Sequence, residues 1–220
     1  MNVISKNIST TNKVIMKKKI LAIILARKNS KRLPKKNLKK IGNKTLVEWS
    51  IHSLKNVKEV ENIFVSTDDP KILKIAKKNG VLSPWLRPKY LSKDNTSSEL
   101  ATMHALKWYE KNVSDVDGFF LIQPTTPFRS KRNLKKAIKI FKKINKPIIS
   151  VSRVLNDIKY NKLVHNGSFY LSTTKYFKKY NNLNPKIFYP FILKKREECL
   201  DINTIEEFNL AKKYYNNVIK

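Results

Sequence analysis

Apolar and polar positions alternate along this chain in blocks of two different lengths. Ile20 to Leu25 is an unbroken apolar run of strand length. Such a run suits a parallel strand covered on both faces, and it predicts a strand over residues 19–26. Asn62-Ile63-Phe64-Val65-Ser66-Thr67, Phe119-Phe120-Leu121-Ile122-Gln123 and Pro147-Ile148-Ile149-Ser150-Val151-Ser152 read the same way. Between these runs the apolar spacing lengthens to that of helices. Thr45 caps a segment that carries Leu46, Trp49, Ile51 and Leu54, and Asp68-Asp69-Pro70 opens a helix running to Gly80. Thr96-Ser97-Ser98-Glu99 is a capping box for a helix reaching Asn112, and Ser130 caps a Lys-rich helix ending near Ile144. Strand, helix, strand, helix by residue 80 predicts an α/β fold with a doubly wound, mostly parallel sheet.

After residue 152 the pattern changes. Residues 160–164 and 168–171 flank His165-Asn166-Gly167 and predict a small hairpin appendage. Residues 186–193 read as a strand, residues 200–203 as a short acidic extended piece, and Thr204-Ile205-Glu206-Glu207 as a second capping box opening the last helix. All four glycines, at 42, 80, 118 and 167, fall on expected element boundaries. No repeat or linker interrupts the chain, so residues 19–220 are expected to form one domain after a polar, disordered leader over residues 1–18.

Composition narrows the classes. No run of 18 apolar residues exists, so no membrane helix is predicted, and the leader lacks the apolar centre of a signal peptide. A lone Cys199 leaves no internal disulfide, in keeping with a cytoplasmic setting. The net charge is +31, carried by 40 Lys and only 7 Arg spread along nearly every helix. Weak non-specific affinity for nucleic acid follows, but no cluster of Arg with aromatics marks a specific nucleic-acid site.

One polar stretch stands out from this cationic background. Directly after the strand at 19–26 come Arg27, Ser30, Lys31, Arg32, Pro34, Lys36 and Asn37. A loop at the carboxyl end of the first parallel strand is where open α/β sheets bind ligands, and cations there suit a polyphosphate. The loop holds no glycine, unlike most phosphate-cradling loops. Ser66-Thr67-Asp68-Asp69 and Gln123-Pro124-Thr125-Thr126 fall at strand ends on the same edge. Asp68, Asp69, Asp94 and Asp201 are the carboxylates on offer to a divalent ion. Asp68-Asp69-Pro70 reads first as a helix start, His104 as a packed histidine and Cys199 as a bystander.

Four segments in order carry a resemblance. They are Ala26 to Asn37, Val65 to Asp69, Arg87 to Ser98 with His104-Ala105-Leu106, and Leu121 to Arg129. In residue types and spacing they resemble the acylneuraminate cytidylyltransferases, the CMP-sialic acid synthetases. Weaker matches resume at residues 166–170 and 201–204. The resemblance implies a nucleotide-diphospho-sugar transferase type of fold and a CTP- and Mg²⁺-dependent transfer of CMP to the anomeric hydroxyl of a nonulosonic acid. It implies Ala26, Arg27, Ser30, Lys31, Lys36 and Asn37 at the nucleotide and its triphosphate, with Arg87 and Ser98 near the cytosine. It implies Gln123, Thr125 and Asn166 towards the sugar, Asp201 and Asn203 as metal ligands, and Arg27, Lys36 and Asp201 as the catalytic set. The family also implies a homodimer. Two departures are visible. Asn203 stands where the family carries Asp, which removes one charge from the metal site, and residues 154–166 are far shorter than the family's dimerisation excursion. These departures keep open an alternative, a catalytically impaired homologue that binds nucleotide as a partner or regulator.

Overall fold

A computed structural model of the chain describes residues 18–153 and 162–219. All but the last residue of the expected leader, and most of the short segment after residue 153, lie outside the described residues.

A six-stranded sheet forms the centre. Its strands are β1 (Ile20–Leu25), β4 (Asn62–Ser66), β5 (Gly118–Ile122), β6 (Ile148–Arg153), β7 (Leu163–Thr173) and β8 (Tyr189–Ile192). They lie in the order β4-β1-β5-β7-β6-β8. β1 pairs in parallel with both β4 and β5, while β7 runs antiparallel to its neighbours β5 and β6. The sheet is therefore mostly parallel, as expected. A second small sheet joins β2 (Lys40–Ile41) and β3 (Lys44–Thr45) around Gly42, whose φ of 60° suits glycine.

The apolar run of β1 is continuous because its two faces feed two cores. Ile20, Ala22 and Ile24 pack with α1 (Leu46–Leu54), α2 (Pro70–Lys78) and α4 (Lys131–Ile144). Leu21 and Ile23 pack on the other face with α3 (Ser98–Asn112) and α5 (Thr174–Tyr180). A third core joins Leu33, Ile41, Leu46, Phe128 and Ile202 to Phe208 and Ala211 of α6 (Ile205–Tyr214).

Helix starts follow the sequence closely. Asp69 caps α2 through the Lys71 N–H, Ser130 caps α4 through the Asn133 N–H, and Thr204 with Glu207 forms the expected capping box. At α3 the cap differs: Ser97, not Thr96, accepts from the Leu100 N–H, and the Glu99 carboxylate receives the Leu183 N–H instead.

The hairpin is the main correction. His165, Asn166 and Gly167 make no turn; they lie inside β7, which is an interior strand of the sheet rather than an appendage. The β6–β7 register shifts between Ile149 and Val151, an irregularity in the ladder. Asn166 Oδ1 accepts from Ser150 Oγ at 2.7 Å and from the Ser168 N–H at 3.1 Å, standing in for ladder bonds lost there. Gly167 takes φ 69° within the strand, so it is not a boundary glycine.

Candidate active site

The carboxyl ends of β1 and β5 converge on a cleft of about 300 Å³. Arg27, Ser30, Lys36, Asn37, Arg87, Ser98, Gln123 and Thr125 all line it. Lys31 lines an adjoining groove together with Lys28, Lys35 and Lys71. Ala26 is fully buried and donates its N–H to the Ser66 carbonyl, so it underlies the cleft without lining it.

Each arm is held by a local device. In the loop after β1, Lys35 takes a left-handed φ of 53° and a 3₁₀ turn follows over Lys36–Leu38. Asn37 is buried and ties the turn back by donating to the Arg27 carbonyl at 2.9 Å. Asp68, at the end of β4, accepts the Lys28 N–H at 2.7 Å and lies 3.8 Å from Arg87. Residues 81–87 run beside β4, and the Arg87 N–H reaches the Thr67 carbonyl at 2.6 Å. That contact brings Arg87 back to the strand end, where burial lowers its guanidinium below the usual value against the pull of Asp68. His104 behaves as a packed histidine, its ring 4.6 Å from that of Trp85.

A second group of residues, from the chain's far end, touches side chains and backbone that line the cleft. The Ile202 N–H donates to the Thr125 carbonyl at 2.8 Å, fixing Asp201 and Asn203 beside the β5 loop. Asn203 links the two halves: Lys36 Nζ donates to its Oδ1 at 3.0 Å, and its Nδ2 donates to Asp201 Oδ2 at 2.8 Å. Burial pulls the Lys36 ammonium down, and Asp201 opposes that shift. Asp201 Oδ1 is buried without a partner, as are the hydroxyl oxygens of Thr125 and Thr126.

Arg129 was not singled out as a site residue, yet it organises this corner. It is buried, and its guanidinium donates to the carbonyls of Gln123 and Ser168 and to Ser50 Oγ at 3.3 Å. Burial, partly offset by Asp201, draws its pKa down to about 9, which leaves it protonated at neutral pH. Two signals in the sequence pointed to it: arginine is scarce, and Arg129 closes the Leu121–Arg129 segment that carries the resemblance. Gly167 was missed too. A Cβ built there would stand 3.6 Å from Asp201 Cγ, Gln123 Oε1 and Thr126 Oγ1 alike, so its backbone floors this part of the site. Asn166, expected towards the sugar, stands apart: it is buried, and its amide is occupied by Ser150, Ser168 and Cys199.

The family profile described as Cytidylyltransferase matches residues 21–217. This chain belongs to the cytidylyltransferase family. The CMP-N,N'-diacetyllegionaminic acid synthase of Legionella pneumophila is 29% identical over 223 residues, 89% of this chain and 95% of that protein. An N-acylneuraminate cytidylyltransferase of Escherichia coli is 35% identical over 63% of this chain, a match that spans 32% of that longer protein. Among solved structures, a CMP:2-keto-3-deoxy-manno-octonic acid synthetase complexed with CTP aligns with a TM-score of 0.71 over 90% of this chain and 98% of that one. Its identity is 15%, so it speaks for the fold. Membership makes the chain a nucleotidyltransferase. No helix among the described residues is long and apolar enough to cross a membrane.

Proposed function

We propose that this cytidylyltransferase moves CMP from CTP to the anomeric hydroxyl of a sialic-acid-like nonulosonic acid, or a related 2-keto-3-deoxy sugar acid, in the cytoplasm. The observation that carries the reading is the meeting of Arg27, Ser30, Lys36, Asn37, Arg87, Ser98 and Gln123 in one cleft at the strand ends. The near full-length likeness to a legionaminic acid synthase supports the acceptor class.

In this reading Arg27, Ser30, Lys31 and Lys36 hold the triphosphate, and Asn37 orients the nucleotide through the loop it braces. Arg87 and Ser98 face the base, and Gln123 with Thr125 faces the sugar. The anomeric oxygen forms a bond to the α-phosphorus while the bond to the bridging oxygen of the β-phosphate breaks. The electron pair leaves with pyrophosphate, and the hydroxyl proton passes to solvent. Arg27 and Lys36 neutralise charge as it builds on the leaving group.

Asp201 fits a divalent cation, since its Oδ1 is buried without a partner, and Asn203 offers a carbonyl oxygen once Lys36 turns to phosphate. A Mg²⁺ bound there supplies Lewis-acid neutralisation of phosphate oxygens. Because Asn203 brings no charge, Asp201 alone would neutralise such an ion, and its hold on the ion would be weaker.

The test is pyrophosphate release by the full chain with CTP, Mg²⁺ and a panel of such sugar acids. Release with at least one acid is expected; no release with any, from a folded sample, overturns the reading. A second reading is favoured by one observation: Asn203 has both its amide atoms engaged, with Lys36 and with Asp201. It makes the chain a nucleotide-binding partner of low activity. Asn203→Asp discriminates, because a large gain in turnover supports the impaired form and an already active parent removes it.

A further inference from the structure

Two of the cations assigned above to the triphosphate already hold an anion. Arg27 Nη1 lies 2.9 Å from Asp94 Oδ1, and Lys31 Nζ lies 3.1 Å from Asp94 Oδ2. Arg27 also reaches the Lys93 carbonyl at 3.5 Å. Asp94 comes from the opposite wall, in the stretch between the 3₁₀ turn Lys89–Leu91 and α3. It lines both the cleft and the groove beside it, and is the only carboxylate among the described residues lining the cleft. The groove's other carboxylate, Asp69, is committed to capping α2.

We propose that Asp94 is the resident counter-ion of the polyphosphate subsite. It holds Arg27 and Lys31 in the phosphate-free chain and gives them up when a polyphosphate arrives. The proposal rests on the reading of this cleft as the nucleotide site. Six cationic residues, Arg27, Lys28, Lys31, Arg32, Lys35 and Lys36, crowd this loop and repel one another. A carboxylate placed among them lowers that repulsion. A phosphate oxygen seeks the same donors, and two anions do not share one pair of donors without mutual repulsion. The side chains of Arg27 and Asp94 are 37% and 39% exposed. Ion pairs so wet are weak, which suits a contact made to be exchanged. Asp94 is thus a positioning residue whose removal sharpens phosphate binding instead of abolishing it.

The experiment measures binding of inorganic tripolyphosphate to the full chain by calorimetry at low salt. Asp94→Asn keeps an acceptor for Arg27 but removes the charge, and binding tighter by roughly three- to tenfold is expected, the range of one weak ion pair. Asp94→Glu is expected to stay near the parent. Asp115→Asn removes an equal charge from an exposed residue shortly before the start of β5, at the far end of the sheet, and is expected to change little. Unchanged or weaker binding by Asp94→Asn overturns the proposal, as does equal tightening by Asp115→Asn or a parent that binds no tripolyphosphate. Failure of pyrophosphate release with every sugar acid would sink the proposed function while leaving this comparison readable. An active enzyme whose Asp94→Asn form binds no tighter would sink the counter-ion alone.

Discussion

Arg129 and Arg27 are two arginines of one site with opposite duties. Arg129 is sealed from water and has its guanidinium divided among two carbonyls and a hydroxyl. Replacing it with Met strands those acceptors in the core, and a loss of about 3–5 kcal/mol in urea unfolding is expected. Arg129→Lys is expected to recover little of that, since an ammonium cannot reproduce the planar fork. Arg27 is partly exposed and pairs with Asp94 at the cleft mouth. Arg27→Ala is expected to lower turnover about a hundredfold or more. Its melting temperature should stay within about 2–4 °C of the parent, because a wet ion pair adds little stability. An Arg27→Ala enzyme as active as the parent would remove Arg27 from the proposed catalytic set.

At the scale of elements, the third core is what holds the two halves of the site in register. Leu33 belongs to the cationic loop, Phe128 to the segment after β5, and Ile202 sits between Asp201 and Asn203; all three are buried together against α6. Leu33→Ala is expected to cost about 2–4 kcal/mol of stability and to raise the KM for CTP more than it lowers kcat, because the loop loses its anchor. A KM unchanged in a destabilised protein would separate the core from the site. The loop at 27–37 and the strand ends were legible in the sequence because their signals are local: an apolar run, then scarce Arg, Ser and Pro at set places. Caps were legible for the same reason, except at α3, where Glu99 is drawn to the distant Leu183 N–H. β7 was not legible. Asn166-Gly167 has turn chemistry, and its real partner, Ser150, lies 16 residues away on β6. Arg129 escaped notice because a buried cation is recognised by the acceptors around it, and two of those, Ser50 and Ser168, come from α1 and β7.

Over the whole molecule, a net charge of +31 and a cleft built from Arg27, Lys36 and Arg87 make two electrostatic claims that salt can separate. The diffuse lysine field should hold a random single-stranded oligonucleotide by counter-ion release. If such a strand engages about six phosphates, its affinity falls with a log–log slope of about −4, so a rise from 50 to 200 mM salt weakens it roughly 300-fold. CTP meets fewer cations, and the Lys36 and Arg87 among them are partly withdrawn from water, where screening is weaker. Its affinity is expected to fall by less than about tenfold over the same range. Parallel titrations of fluorescent oligonucleotide and of CTP, with Mg²⁺ held constant, read both slopes from one preparation. Equal slopes would mean that the cleft's cations belong to the general field and that the charge spread over the helices, not the geometry at the strand ends, governs what this chain binds. A shallow CTP slope beside a steep oligonucleotide slope would instead tie nucleotide recognition to the few cations that Asp68, Asp94 and Asn203 hold in place.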